Sequence, residues 1–465
     1  MSTAIKENKM GYMPENKLLL SMSVPMMLSM LIQALYNIID GLFVSGISPE
    51  QYELTAVNLA FPAQNLMIAV SVGAGVGINA LISRNLGIGN REKANKIAGQ
   101  GLFLAIVSYL LFATVGVILA RPYFELMTSD EAGRAEIIAM GTKYLRICFI
   151  FSFGLFAQVV HEKYMQSTGK TMLSMTIQTV GAIINIILDP ILIYGWFGLP
   201  ALGIAGAAYA TVIGQISSAI VGIVLQKYKN KEIVLQRSNV KPDKKTISEI
   251  LKIGFPSILM NSLGSFMTAS FNKIIMGLSV YAVNVFGIYF KLQSFVFMPV
   301  FGMNNALVPI VAYNYGARKP ERCKKAFKIL LTTCIVYSCI FWLAIMMFPS
   351  FFASVFTEKV ELIEFTTWSV KIYMFMIFLF GIQIACQQTF ISLGNAPISL
   401  FLALLRKVIL LIPLIYIVPL FTENKCLGVF LAEPIADFIA VTTTLILFIT
   451  TFNKTMKKIE TNENL

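Results

Sequence analysis

The stretch LLLSMSVPMMLSMLIQALYNIIDGLFV, Leu18 to Val44, carries no charge before Asp40. As a helix rising about 1.5 Å per residue it is long enough to cross roughly 30 Å of hydrocarbon. Its length and its apolar composition mark it as a membrane span. Asp40 then needs a reason, because a carboxylate at the centre of a membrane helix costs roughly 2.5–3.5 kcal/mol on insertion scales.

Comparable runs recur along the chain. Twelve spans are expected, at 17–45, 54–83, 97–120, 136–160, 172–195, 203–226, 250–280, 284–315, 327–350, 366–389, 397–420 and 427–452. Composition agrees, since 57% of the residues are hydrophobic and only 13% charged, about half the charged share of a soluble domain. The first span is read as a retained helix rather than a cleavable signal, because it is too long, follows a polar leader and lacks a small-residue cleavage pattern.

A net charge of +13 could point to nucleic acid, so the placement of the basic residues matters. With loops assigned alternately, 26 of the 37 Lys and Arg fall on the side that holds both termini, four on the opposite side, and seven in or near spans. That asymmetry places both termini in the cytoplasm and makes the charge topological, so no nucleic-acid partner is expected. The expected location is a cell membrane, crossed many times, of the bacterial cytoplasmic type. Five of the six cysteines lie in or near spans or on the cytoplasmic side, leaving only Cys426 near the outer face, so no disulfide framework follows. His161 precedes Glu162, but HEKYM has no second histidine four residues on, and the zinc-protease pattern fails. No nucleophile, phosphate loop or resident cofactor is indicated.

The chain repeats itself. ISRNLGIGNREKANK after span two resembles VAYNYGARKPERCKK after span eight, pairing Asn85 and Gly87 with Asn314 and Gly316 at a spacing of 229. Pro25 pairs with Pro256 at 231, and Gly169 with Gly394 and Gly203 with Gly428 at 225. A duplication of six spans leaves both halves in the same orientation, related by a pseudo-two-fold axis along the membrane normal. The organisation expected is a cytoplasmic leader 1–16, an amino-terminal lobe 17–226, a polar basic linker 227–249, a carboxy-terminal lobe 250–453 and a cytoplasmic tail 454–465. The fold class is all-α integral membrane, with twelve transmembrane helices in two pseudo-symmetric six-helix lobes.

Polar residues inside the spans mark the candidate site. In span one Gln33, Tyr36, Asn37 and Asp40 fall at i, i+3, i+4 and i+7 and share a face. In span five Gln178, Asn185 and Asp189 fall at i, i+7 and i+11, again on one face, and Asp189 precedes Pro190, which frees a backbone carbonyl around the preceding turn. Span six adds Thr211 and Gln215. Gln33, Asn37 and Gln178 read as hydrogen-bonding glue between helices; Asp40 and Asp189 read as functional, because glue does not need a carboxylate. Together these offer hard oxygens suited to a small cation or a shared proton. The second half differs: Phe271 stands at the counterpart of Asp40, followed by Lys273, while Glu433 and Asp437 in span twelve have Arg406 and Lys407 in span eleven as ion-pair partners.

ALYNIIDGLFV in span one, QSTGK before span five, NIILDPILIYG within it and LGIAGAAYAT opening span six resemble the multidrug and toxic compound extrusion (MATE) family, particularly its prokaryotic branch related to the DNA-damage-inducible transporters. The resemblance covers about residues 15 to 453. It implies a secondary antiporter, not an enzyme, that expels cationic drugs against a proton or sodium gradient by alternating access. It places the coupling site on Asp40, Asn185, Asp189 and Thr211, which would be the metal ligands if sodium is the ion. Tyr36, Asp40, Glu162, Gln178 and Asp189 are the expected substrate residues, and Pro25 and Pro190 the hinges. One departure is Lys273 and Lys371, where another branch carries acids in the second lobe.

The expected function is therefore cation-coupled export of bulky, apolar, mostly cationic compounds by a monomer in contact with membrane lipid. Met and Phe are abundant, at 23 and 35 residues, and supply adaptable apolar surface for such substrates. The alternatives are a flippase for a lipid-linked sugar, with Lys273, Lys291 and Lys371 as the cationic residues it would use, and an intramembrane transferase, for which no paired catalytic groups are present. The oxygen set is compatible with either coupling ion.

Overall fold

In lipid each backbone N–H and C=O must find its partner within the protein, which is why the apolar runs fold as helices. The computed structural model describes residues 8–49, 52–128, 133–276, 280–354 and 359–461, with side chains described outside 265–276, 280–291 and 294–296. The helices are α1 (Lys9–Tyr12), α2 (Glu15–Ser45), α3 (Tyr52–Ile88), α4 (Arg91–Met127), α5 (Arg134–Ile150), α6 (Phe153–Ser167), α7 (Thr171–Tyr194), α8 (Ile204–Lys229) and α9 (Lys244–Met276). They continue as α10 (Val280–Gly316), α11 (Pro320–Met347), α12 (Pro349–Ser354), α13 (Val360–Tyr373), α14 (Phe380–Ser392), α15 (Ala396–Leu404), α16 (Ile412–Ile417) and α17 (Lys425–Glu460). No strand occurs among the described residues.

Among the described residues eight helical segments are long and apolar enough to cross a membrane, and two bent pairs bring the number to ten. The spans expected at 250–280 and 284–315 coincide with α9 and α10, which completes twelve. The burial pattern is that of a protein dissolved in lipid. α4 has the most apolar window, yet only 17% of that window is buried, and Leu110, Leu111 and Ile118 face outward while Asn79, Ser83 and Gln100 are buried.

Two spans expected to be single helices are broken. α5 meets α6 at 46°, and α13 meets the segment leading into α14 at 49°. Neither break contains a proline. The chain leaves the helix in nearly the same conformation at Phe151 (φ −98°, ψ 15°) and Met374 (φ −94°, ψ 10°), so the fourth span of each half carries the same bend.

The chain forms two compact units, Val24–Ile258 and Met1–Ser23 with Leu259–Leu465. The division runs through α2 and α9 and does not coincide with the lobes expected at 17–226 and 250–453. An ionic clamp lies at each of the two crossed helix starts. Glu15, in the first turn of α2, pairs with Arg322 at 3.1 Å and Lys325 at 3.0 Å on α11, and Arg322 also donates to the Met13 carbonyl at 2.6 Å. At the start of α9, Lys96 pairs with Asp243 and Lys93 with Glu249, both at 3.0 Å. Gln100 on α4 donates to the carbonyls of Asn239 at 2.7 Å and Lys241 at 2.6 Å. Lys93 and Arg322, like Lys96 and Lys325, are 229 residues apart, the spacing of Asn85 and Asn314. Basic residues that look purely topological in the sequence thus tie the first helix of each half to the third helix of the other.

Candidate functional site

The site lies in the unit Val24–Ile258. Gly169, at φ +76°, ends α6 in the left-handed conformation that other residues rarely adopt and turns the chain into α7. α7 then packs backbone to backbone on α8. A Cβ on Gly214 would lie 2.7 Å from the Gly181 carbonyl oxygen, and one on Gly181 would lie 2.9 Å from the Gly214 carbonyl oxygen, an approach that small residues allow between membrane helices.

That approach joins the polar residues of the two helices. Asn185 Nδ2 donates to Asp189 Oδ1 at 3.3 Å and to Thr211 Oγ1 at 3.5 Å. Asn185 and Asp189 are both buried. Pro190 has no N–H to give the Ile186 carbonyl, which loses its helical bond. At the far end of α7, Tyr194 donates to the Phe43 carbonyl at 2.6 Å. This pins the turn after Asp40 against the end of the helix that carries Asp189.

A cavity of about 110 Å³ opens beside this cluster. It is lined by Gln33 and Tyr36 of α2, Gln158 and Glu162 of α6, Gln178 and Asn185 of α7, and Thr211, Gln215 and Ser218 of α8. Gln178 donates to Gln33 at 3.0 Å, the interhelical bond expected of them, and Gln158 donates to Glu162 at 2.9 Å. At about 30 Å³ per water, the space suits an ion with a few waters, whereas a drug-sized ligand needs roughly 300–1,000 Å³. The expected substrate residues Tyr36, Glu162 and Gln178 therefore surround an ion-sized space.

Of the four expected coupling residues, Asn185, Asp189 and Thr211 are brought together. Asp40 is not hydrogen-bonded to them and does not line the cavity. Three buried oxygens, Asp40 Oδ1, Asn185 Oδ1 and Asp189 Oδ2, have no hydrogen-bond partner. Leaving a buried polar atom unpaired costs about 1–3 kcal/mol, and more if it is charged. An oxygen-rich set of this kind is chemically completed by a proton or a small cation. Asn37, expected on the same face as Asp40, is exposed.

Sequence reasoning missed Gln158, Ser218 and Tyr194. Gln158 was within reach, because it lies one turn before Glu162 on the same helix face. His161 is occupied structurally, with Nδ1 2.7 Å from the Ala157 carbonyl oxygen and the ring edge-on to Tyr164. Among the described residues no group of three or more His, Cys, Asp or Glu could hold a metal ion. In the other unit Arg406 donates to Glu433 at 2.8 Å and to Asp437, the ion pair expected from the sequence. Lys371 is exposed, while Lys273 and Lys291 lie outside the described side chains.

A family model described as MatE matches residues 25–191 and 256–417, the two copies of the internal repeat. The chain is 26% identical over 404 residues to a multidrug export protein, MepA, of Staphylococcus aureus, covering 87% of each chain. It is also 26% identical over 426 residues to an FAD transporter of Shewanella oneidensis, covering 92% of each. In fold it is similar to the outward-facing conformation of a multidrug resistance MATE family transporter of the MOP superfamily, with a TM-score of 0.89 at 23% identity, covering 98% of this chain and 100% of the other.

Proposed function

Because this chain belongs to the MatE family, a family of membrane transporters rather than enzymes, we propose that it exports bulky apolar cations across the cell membrane in exchange for protons. The observation that carries the reading is the buried cluster of Asn185, Asp189 and Thr211 with its unpartnered oxygens. A proton on Asp189 Oδ2 turns that oxygen into a donor. Asn185 Oδ1, the unpaired acceptor on the residue that already donates to Asp189 Oδ1, is then available to receive it.

Coupling follows from competition. Proton occupancy removes the negative charge that attracts a cationic substrate, so proton and drug favour different states and each drives release of the other. Asp40, whose Oδ1 is also unpaired, is assigned the second carboxylate of the cycle. Pro25 lies beside the Ser23–Val24 division in α2 and is assigned the hinge.

The polarity of this ion-sized space suits the coupling cation: its lining contains Glu162 and no Lys or Arg, a match for a proton or a small cation. The test is efflux of an ethidium-like cation from proteoliposomes, driven separately by a pH gradient without sodium and by a sodium gradient at equal pH. Efflux under the pH gradient alone is expected. Efflux only under the sodium gradient would make sodium the coupling ion and Asp40, Asn185, Asp189 and Thr211 its ligands. No efflux under either would refute the reading. Cytoplasmic termini require Cys426 to face outward, so an impermeant maleimide should label it on intact cells.

A further inference from the structure

The two units share a repeat, and following its register residue by residue shows what became of the cavity in the second copy. The 225-residue spacing of Gly169 and Gly394 holds in three dimensions. Both glycines are left-handed, at φ +76° and +85°, and the helices that follow start at Thr171 and Ala396, again 225 apart. In the same register the cavity-lining Leu155 of α6 corresponds to Phe380 of α14, and the cavity-lining Gly181 of α7 corresponds to Arg406.

Phe380 and Arg406 touch: the guanidinium lies over the Phe380 ring, 4.5 Å from its centroid. The side chain of Arg406 reaches back along α17 to Glu433 and Asp437. Those positions correspond to Ala208 and Val212 of α8, one on either side of Thr211. The guanidinium therefore sits at the level where the first copy gathers Asn185, Asp189 and Thr211. Arg406, Glu433 and Asp437 are all buried, Tyr373 donates to Glu433 at 3.3 Å, and Lys407, half-buried beside Arg406, brings the group to two cations and two acids. Arg406 also lies in a π-helical stretch, Leu405–Leu411, of the kind that collects at functional sites.

We propose that the second unit keeps a counterpart of the cation site that is permanently filled by the chain's own guanidinium, and that removing the Arg406 side chain opens a binding site for a small guanidinium-type monovalent cation on Glu433 and Asp437. This goes beyond the exchange assigned to the first unit and does not depend on which ion drives it. It explains why the repeat supplies one exchanging site rather than two: a tethered cation neither leaves nor competes.

The test uses the purified full-length protein and its thermal unfolding. R406A leaves two buried acids without their bonded cation, and its Tm should fall by about 10 °C. Methylguanidinium at about 10 mM should recover at least half of that loss by binding the folded state. Urea, similar in shape and uncharged, should not, and the parent should respond to neither. If methylguanidinium raises the Tm of R406A no more than that of the parent, the proposal is overturned. Should R406A fail to accumulate, R406A/E433Q/D437N decides. Recovery of folded protein is expected, because the acids no longer need a cation; no recovery makes Arg406 a packing residue and overturns the site.

Discussion

Asp189→Asn should make the protein more stable and inactive at the same time. The side chain keeps its shape, and the Oδ1 that accepts from Asn185 at 3.3 Å is retained as the amide oxygen. In place of Oδ2, which has no partner, stands an NH₂ that can donate to Asn185 Oδ1, also without a partner. Two unpaired buried atoms become one hydrogen bond and a buried charge disappears, a net gain of about 1.5 kcal/mol. For a unit the size of Val24–Ile258 that corresponds to a rise in Tm of roughly 3–6 °C. The variant imitates the proton-loaded state and has no proton to exchange, so gradient-driven efflux should vanish at equal expression. Asp189→Ala should be inactive too, but less stable by about 1–3 kcal/mol, because Asn185 then loses an acceptor. The assays are scanning fluorimetry of purified protein and proteoliposome efflux. A fall in Tm for Asp189→Asn, or efflux equal to the parent, would refute the pairing of Asn185 with a protonated Asp189.

Gly181→Leu should force α7 away from α8 at a cost of about 1–3 kcal/mol and abolish efflux by parting Asn185 from Thr211. Gly41→Ala, where nothing lies within 4 Å, should change neither stability nor transport. In the clamp, a double-mutant cycle on Tm should give a coupling of about 1–3 kcal/mol for Glu15 with Arg322, whose side chain is 18% exposed, and less than about 1 kcal/mol for Glu15 with Lys325, 62% exposed. At the start of α9, hydrogen bonds from the Thr246 side chain and Lys96 hold the Asp243 carboxyl at about 2, below its ordinary 3.8. A carboxyl lowered on folding stabilises above its unfolded value, and that stabilisation is lost as pH falls through the folded one. The Tm difference between parent and Asp243→Asn should therefore be full at pH 5 and above and shrink between about pH 4 and pH 2.

The sequence by itself determined the fold class, the number of spans and the duplication, and it singled out the acids that lie within the spans. Apolar runs in lipid have one way to satisfy their backbone, and a carboxylate within such a run stands out against the cost of placing it there. Residues within one helix, such as Asn185 and Asp189, could be grouped from spacing alone. Contacts between helices could not. That Gly181 and Gly214 bring Asn185 to Thr211, and that Asp40 stays outside their hydrogen bonds, depends on how closely and at what rotation two helices pack. The same holds for the clamps: the distribution of Lys and Arg among the loops gives an expected orientation from the sequence alone, whereas pairing Arg322 with Glu15 and Lys96 with Asp243 needs the path of the chain. Arg406 shows the difference most clearly. In sequence it is one half of an ion pair; in the folded second unit its guanidinium bonds both Glu433 and Asp437 and lies over the Phe380 ring, a set of contacts that only the tertiary structure defines.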